Sequence, residues 1–325
     1  MSDFRTNVRR RLVRFLRPSP VLVCEFNAWG GYLINAARPD AIRVRLYPGE
    51  RADRLLAAVP AAARVLLMHI DLSETVGFLT HEADFLAGLA ERGITVLNAR
   101  AVDIRKRTMH AQCEARGLPS ARTGREGPPD EQVIIKTDLN CGGVPEQRLI
   151  AHGLHVQSAV PLALLPRGDT GYPEYPVCRR DEVPEAAWFD PTLVVERFID
   201  NPEGVYFRVY ALGRATVVAE AWSDEKIKKL NGPIRKRVNH FFWFEDGTPV
   251  PLGEANARVT RAATIARQVG AALDVDFHAS DCVMSGDGEI VAVDINKTPW
   301  WGPQVRPGVI EHLRRGLDGL IAEVD

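Results

Sequence analysis

DCVMSGDGEIVAVDIN, Asp281 to Asn296, has the pattern of a β-hairpin. Valine, isoleucine and small residues flank Asp287-Gly288, a pair that favours a two-residue type I′ turn. With the turn there, Gly286 pairs with Glu289, Ser285 with Ile290, and Asp281 faces Asp294. Alternation of side chains then puts Asn296 on the face of Asp294. Two carboxylates and a carboxamide form one oxygen cluster. Like charges opposite one another on a sheet repel, and a hard divalent cation such as Mg²⁺, which takes carboxylates, water and phosphate oxygens, would compensate them. A solvated acidic edge is the competing reading of this segment alone.

Working outward, 325 residues are enough for two or three lobes with a sizeable core. A formal net charge of -1 gives no overall argument for nucleic acid or membrane, and no apolar run approaches the ~20 residues of a transmembrane helix. Cys24, Cys113, Cys141, Cys178 and Cys282 show no regular spacing and read as reduced thiols, which places the expectation in the cytoplasm. The one biased segment is FRTNVRRRLVRFLRPSP, residues 4–20. It reads as a basic amphipathic helix, packed on its own domain or lying on a membrane surface.

Strand and helix signals alternate from VLVCEF (21–26) through Ile42–Leu46, Ala52–Val59, VLLMHI (65–70), Glu82–Arg92 and ITVLN (94–98). This is a small α/β unit ending near Arg100. Residues 101–116 read as helix, stopped by Gly117-Leu118-Pro119. VIIKTDLNCGG (133–143) is a β-branched strand entering a glycine loop, and residues 161–184 read as loop. TLVVERFI, VYFRVYALG, ATVVAEAW and HFFWF are strands, Glu254–Ala272 a helix, and a last helix starts near Pro307. The expected division is 1–100, 101–190 and 191–325.

Lys136 closes its strand just before Gly142-Gly143. A point charge beside amides that glycine leaves accessible suits polyphosphate, although a strand-end lysine is more often simply solvated. Glu196 ends a strand and has nothing local to make it catalytic. Arg208 points to the polar face of its sheet, either to stabilise a transferring phosphoryl group or to snorkel. The run Lys226–Arg237, centred on Asn231-Gly232-Pro233, reads as a basic loop suited to anionic substrates or merely solvated. His69 and Asp71, at the end of VLLMHI, are placed to meet a substrate or are ordinary strand-end polar residues. HFFWF has strand spacing and reads as core, not as a nucleic-acid platform.

In order, these elements resemble the ATP-grasp superfamily, on the branch of glutathione synthetase and the glutamate ligases that modify peptides and proteins. The resemblance covers Val96 to Gly302 and rests on four segments. VLNARAVDIRKRTMHAQCEARGLPSART is similar to the segment bearing a nucleotide-binding lysine, here Lys106. VIIKTDLNCGG resembles the strand with the second ATP-binding lysine, Lys136, and the glycine loop, Gly142 and Gly143, over the phosphates. TLVVERFI resembles the hinge, where Glu196, Arg197 and Phe198 would meet adenine largely through backbone groups. SDCVM with VAVDINKTP resembles the metal hairpin, with Asp281, Asp294 and Asn296 as ligands. Arg105 stands where an acidic residue is usual, Asp294 where glutamate is commoner in the ligases, and Tyr206 where an acidic ribose contact is usual; Glu203 is the substitute. Trp300-Trp301 delay the usual glycine and would wall an acceptor pocket.

The resemblance implies an α/β (α+β) fold with two lobes sandwiching ATP, preceded by a small α/β domain. It also implies Mg²⁺, or Mn²⁺, and a ligase joining a small-molecule or peptide carboxylate to an amine through an acyl phosphate. Arg208 and Arg237 would steady that intermediate. Dimers and tetramers are common among such proteins. A phosphotransferase for an anionic hydroxyl substrate, using the same ATP and metal residues, is the main alternative; a non-catalytic nucleotide-binding module is the other.

Overall fold

The computed structural model describes residues 19–26, 29–151, 174–227, 240–251, 255–300 and 306–322. The basic leader helix, most of the 161–184 loop and most of the basic run, Arg237 included, lie outside the described residues.

The apolar segments of the first hundred residues build a parallel sheet of β1 (Val21–Glu25), β2 (Ile42–Arg45), β3 (Val65–His69) and β4 (Thr95–Leu97), in the order β2-β1-β3-β4. The central strands β1 and β3 are buried throughout, as a parallel sheet covered on both faces requires. Leu22, Leu66 and Met68 pack with Leu55, Phe85 and Leu89 from helices Ala52–Ala58 and Glu82–Glu91. Val21, Val23, Val65 and Leu67 turn the other way.

A small antiparallel sheet follows, with β5 (Gln132–Thr137) between β6 (Val177–Arg179) and β7 (Leu193–Arg197). The large antiparallel sheet comprises β8 (Val205–Leu212), β9 (Ala215–Trp222), β10 (His240–Glu245), β11 (Thr248–Val250), β12 (Phe277–Met284) and β13 (Ile290–Asn296), in the order β11-β10-β9-β8-β12-β13. Strand alternation divides its side chains. Val205, Phe207 and Val209 join Cys282, Met284, Ile290 and Ala292 against helix Ala257–Ala272. Tyr210, Leu212, Phe277 and Ala279 face helix Pro307–Ala322 and the inner side of the first sheet.

Two helices begin later than their composition suggests. The segment read as helix from Ala101 starts at Lys106, because Asp103 accepts bonds from Arg105 N (3.0 Å) and Thr108 Oγ1 (2.7 Å) and holds the chain in a non-helical entry. The helix read from Glu254 starts at Ala257, where the Asn256 side chain caps Val259 N at 3.0 Å.

The hairpin corrects the expected turn. Asp287 does not take the left-handed conformation that a type I′ turn needs, whereas Gly288 does (φ +83°). Gly288 N instead donates to Ser285 O, Ser285 N donates to Glu289 O, and Met284 pairs with Ile290. This inner register differs by one residue from the outer one, in which Asp281 faces Asp294. A bulge at Val293 absorbs the difference. Because of it, Ile290 and Ala292 enter the helix-covered core while Asp294 and Asn296 turn to the opposite face with Asp281. A regular ladder with the inner register would have sent Asp294 into the core.

Among the described residues, no helix is long and apolar enough to cross a membrane.

Candidate functional site

Register alone brings three charged residues into a row. Arg208 on β8 is the cross-strand partner of Asp281 on β12, which is the partner of Asp294 on β13. Arg208 Nη1 donates to both Asp281 carboxylate oxygens, at 3.0 and 2.9 Å, and its Nε donates to the Tyr210 hydroxyl at 3.1 Å. Burial raises the Asp281 pKa, Arg208 opposes the rise, and the neighbouring Asp294 charge adds to it.

On the far side of the row, Lys106 reaches in from the first turn of its helix and is almost wholly buried. Its Nζ donates to Asn140 Oδ1 (3.2 Å) and Leu139 O (3.3 Å) and lies 3.6 Å from Asp294 Oδ1. Burial disfavours the ammonium, but Asp294 and further acidic neighbours outweigh it and raise the pKa above the ordinary lysine value. Among the described residues, buried Asp294 Oδ1 has no hydrogen-bond partner. Asn296 shares this face, and its Oδ1 accepts from Thr298 N (2.8 Å) and Thr298 Oγ1 (3.1 Å).

The glycine loop forms a short 3₁₀ turn, Asn140–Gly143, entering helix Val144–Ala151. Cys141, Gly142 and Gly143 are left-handed in succession (φ +51°, +62° and +68°), a run that the two glycines make sterically accessible. Asn140 Nδ2 donates to Ile295 O, which fastens the turn over the hairpin.

A second buried cluster lies on the small sheet. Lys136 and Glu196 occupy one face of β5 and β7, two residues apart diagonally, and their Nζ and Oε2 are 2.6 Å apart. The other Glu196 oxygen is 3.1 Å from His110 Nε2. Burial pushes the Glu196 pKa up, but Lys136 and His110 outweigh it and hold the carboxyl at about 2. Thus Glu196 neutralises Lys136. The N–H groups of Arg197 and Phe198 donate to Ala121 O (2.7 Å) and Gln132 O (2.9 Å). Lys226 lies over the Phe198 ring, 5.4 Å from its centroid. Glu203 is exposed, 3.8 Å from Arg258.

The structure therefore gathers Lys106, Arg208, Asp281, Asp294, Asn296 and the Asn140–Gly143 turn, with Lys136 and Glu196 as a second cluster. Glu203 and the Arg197 and Phe198 side chains stand apart. Sequence reasoning missed His110, Asn140 and Thr298. His110 had a signal: four residues after Lys106, it occupies the same helix face.

The hairpin oxygens fit a divalent cation. They are hard donors, two of them carboxylates on paired strands, and among the described residues one buried oxygen lacks a hydrogen-bond donor. Arg208 and Lys106 supply the compensating charge.

No protein-family model matches this sequence, and no curated protein matches it. Solved structures do. The ATP-grasp ligase PsnB, in its complex with a phosphomimetic variant of minimal precursor, Mg and ADP, is 12% identical, with 94% of this chain and 99% of that chain covered and a TM-score of 0.50. A RimK domain protein ATP-grasp from Sphaerobacter thermophilus is 15% identical over the same shares (TM-score 0.45), and the VanG D-Ala:D-Ser ligase from Enterococcus faecalis 14% (TM-score 0.42). The chain has the ATP-grasp fold.

Proposed function

We propose that the chain is an ATP- and Mg²⁺-dependent carboxylate–amine ligase, with Mn²⁺ as the alternative metal. The observation that carries the reading is the row Arg208–Asp281–Asp294, closed by Lys106 against the unbonded Asp294 oxygen. PsnB, solved with Mg and ADP, supports the choice of ligands by fold likeness. The units proposed to carry out this reaction are 1–100, 101–190 and 191–325.

Asp281, Asp294 and Asn296 would hold the metal, which would supply charge neutralisation for the phosphates. Lys106 and Lys136 would bind the phosphates, and Gly142 and Gly143 would admit close backbone approach. Glu196, Arg197 and Phe198 would border adenine, with Glu203 near the ribose. A substrate carboxylate oxygen attacks the γ-phosphorus, the bond to the bridging oxygen breaks and ADP leaves. A neutral amine nitrogen then attacks the acyl carbon, phosphate departs with the bonding electrons, and the proton lost from nitrogen passes to the departing phosphate. Arg208, and Arg237 outside the described residues, would steady the acyl phosphate. Positioning and charge compensation suffice, with no side-chain nucleophile.

Calorimetric titration with ATP in the presence and absence of Mg²⁺ tests this. Replacing Asp294 and Asn296 together by Ala should weaken Mg²⁺-dependent binding roughly 100-fold, the loss of two charge-assisted contacts. Folded wild-type protein that binds no MgATP would overturn the assignment. ADP release that needs both a carboxylate and an amine separates ligase from phosphotransferase, which needs a hydroxyl acceptor instead.

A further inference from the structure

When Lys136 turns to the phosphates of a bound nucleotide, Glu196 stays behind, buried and without its counter-ion. A bare carboxylate in such a place is costly, and some group must compensate it. His110 is within reach. It stands on helix Lys106–Ala115, one turn after Lys106, and is fully buried. Lys136 holds Glu196 Oε2, and His110 Nε2 lies 3.1 Å from the second oxygen, Oε1. Among the described residues, neither Nε2 nor Oε1 has a hydrogen-bond partner, so the two atoms face each other unsatisfied.

The other ring nitrogen has an outlet to water. His110 Nδ1 is 3.2 Å from Ser120 Oγ, which accepts from Arg122 N at 3.0 Å and donates to Glu114 Oε1 at 3.4 Å. Ser120 is half-buried and Glu114 exposed. With the ring neutral and its proton on Nε2, the Ser120 hydroxyl donates to Nδ1. With the ring charged, Nδ1–H donates to Ser120 Oγ and the hydroxyl turns to Glu114. Nδ1 is partnered in both states. The other cations around the ring are held by carboxylates of their own. Lys106 lies 3.6 Å from Asp294, Arg107 lies 3.8 Å from Asp138, and Arg122 donates to Glu114 at 2.9 Å. His110 is left to answer for Glu196.

We infer that nucleotide binding is coupled to proton uptake at His110, which becomes the counter-ion of Glu196 once Lys136 has turned to the phosphates. A proton from solvent reaches Ser120 Oγ by way of Glu114, and the Ser120 hydroxyl hands its own proton to Nδ1. Nε2 keeps its proton and directs it at Glu196 Oε1. Glu196 thus has one cationic partner before binding and one after it. His110 is a positioning residue, which keeps Glu196 ionised and in place at the border of the adenine. The inference rests on the nucleotide-binding part of the ligase reading and holds equally for a phosphotransferase.

Calorimetric titration of the full chain with MgATP at pH 8, in Tris and in HEPES buffer, tests it. The two buffers differ in ionisation enthalpy, and MgATP itself takes up almost no proton at that pH. The difference in heat reads the protons taken up, expected to approach about one per MgATP. By linkage, MgATP affinity should fall by up to about tenfold per pH unit as pH rises. His110→Gln should lose both the uptake and the slope while still binding MgATP. Ser120→Ala leaves the charged ring's Nδ1–H without an acceptor; it should lower the uptake and weaken MgATP by about fivefold, the scale of one unmet hydrogen bond. Binding with equal heats in the two buffers, or equal uptake in wild type and His110→Gln, overturns the inference and leaves the ligase reading standing. Where His110→Gln does not fold, Ser120→Ala decides, and uptake equal to wild type there overturns it. Folded wild-type protein that binds no MgATP sinks both readings.

Discussion

Replacing Glu196 by Gln tests whether the Lys136–Glu196–His110 cluster is held by charge. Glu196 is 1% exposed, Lys136 8% and His110 0%, so water cannot take over the lost carboxylate's role. The substitution keeps an acceptor for Lys136 but leaves the ammonium without a counter-ion in a buried site. Removing one partner of a buried ion pair costs about 3–5 kcal/mol; the amide oxygen recovers part of this, so about 2–4 kcal/mol is expected. Urea unfolding at pH 7 measures the total, and hydrogen exchange at the amides of β5 and β7 places the loss. A second readout is pH. The folded pKa of Glu196, about 2, lies below the ordinary glutamate value. Its stabilisation is therefore complete above about pH 4.3 and is lost as pH falls from there toward 2. The gap between wild type and Glu196→Gln should close over that window. Lys136→Met combined with Glu196→Leu should recover most of the stability, since apolar replacement of a buried pair is often neutral, yet remain defective in nucleotide binding. A Glu196→Gln loss below about 1 kcal/mol, within the range of an exposed pair, or a gap that is constant down to pH 2, would refute the reasoning.

Two further substitutions probe how the first sheet is joined to the large one. Asn98 sits at φ +58°, accepts from Asp276 N and Phe277 N and donates to Phe277 O. Asn98→Ala should cost about 2–4 kcal/mol in thermal or urea unfolding, the sum of unmet buried amides and left-handed strain, and a cost below about 0.5 kcal/mol, that of an ordinary surface change, would count against it. Gly31→Ala should displace Trp300 and change tryptophan emission; unchanged emission would show that the indole does not rest on Gly31.

The faces of the hairpin were legible because alternation depends only on the distance from Asp281 and Asp294 to their turn, and the two departures from the expected ladder cancel. The turn itself was not. Asp287-Gly288 reads as a two-residue turn, but the Ser285 hydroxyl accepts Glu289 N at 3.0 Å and accompanies a wider loop. Local side-chain bonds of this kind compete with turn propensity and leave little trace in hydrophobic pattern. Helix starts at Lys106 and Ala257 were displaced by the same type of bond, from Asp103 and Asn256. The Lys136–Glu196 pair was illegible for a different reason. It depends on the register between strands 60 residues apart, which no local signal encodes.

Charge compensation in the site is pairwise: Asp281 with Arg208, Asp294 with Lys106, Glu196 with Lys136. Among the described residues, these three pairs balance cation against carboxylate one for one. A divalent ion on the hairpin carboxylates would release Arg208 and Lys106 from their partners and turn them toward phosphate oxygens. Phosphates on the lysines would in turn free the carboxylates for metal. Each ligand removes a competitor of the other, and the coupling is reciprocal by linkage: whatever factor the metal adds to nucleotide affinity, the nucleotide must add to metal affinity. On the proposed reading, phosphate would have to take Lys136 from Glu196, and His110, 3.1 Å from the other Glu196 oxygen, would keep that buried carboxylate partnered once the lysine had moved.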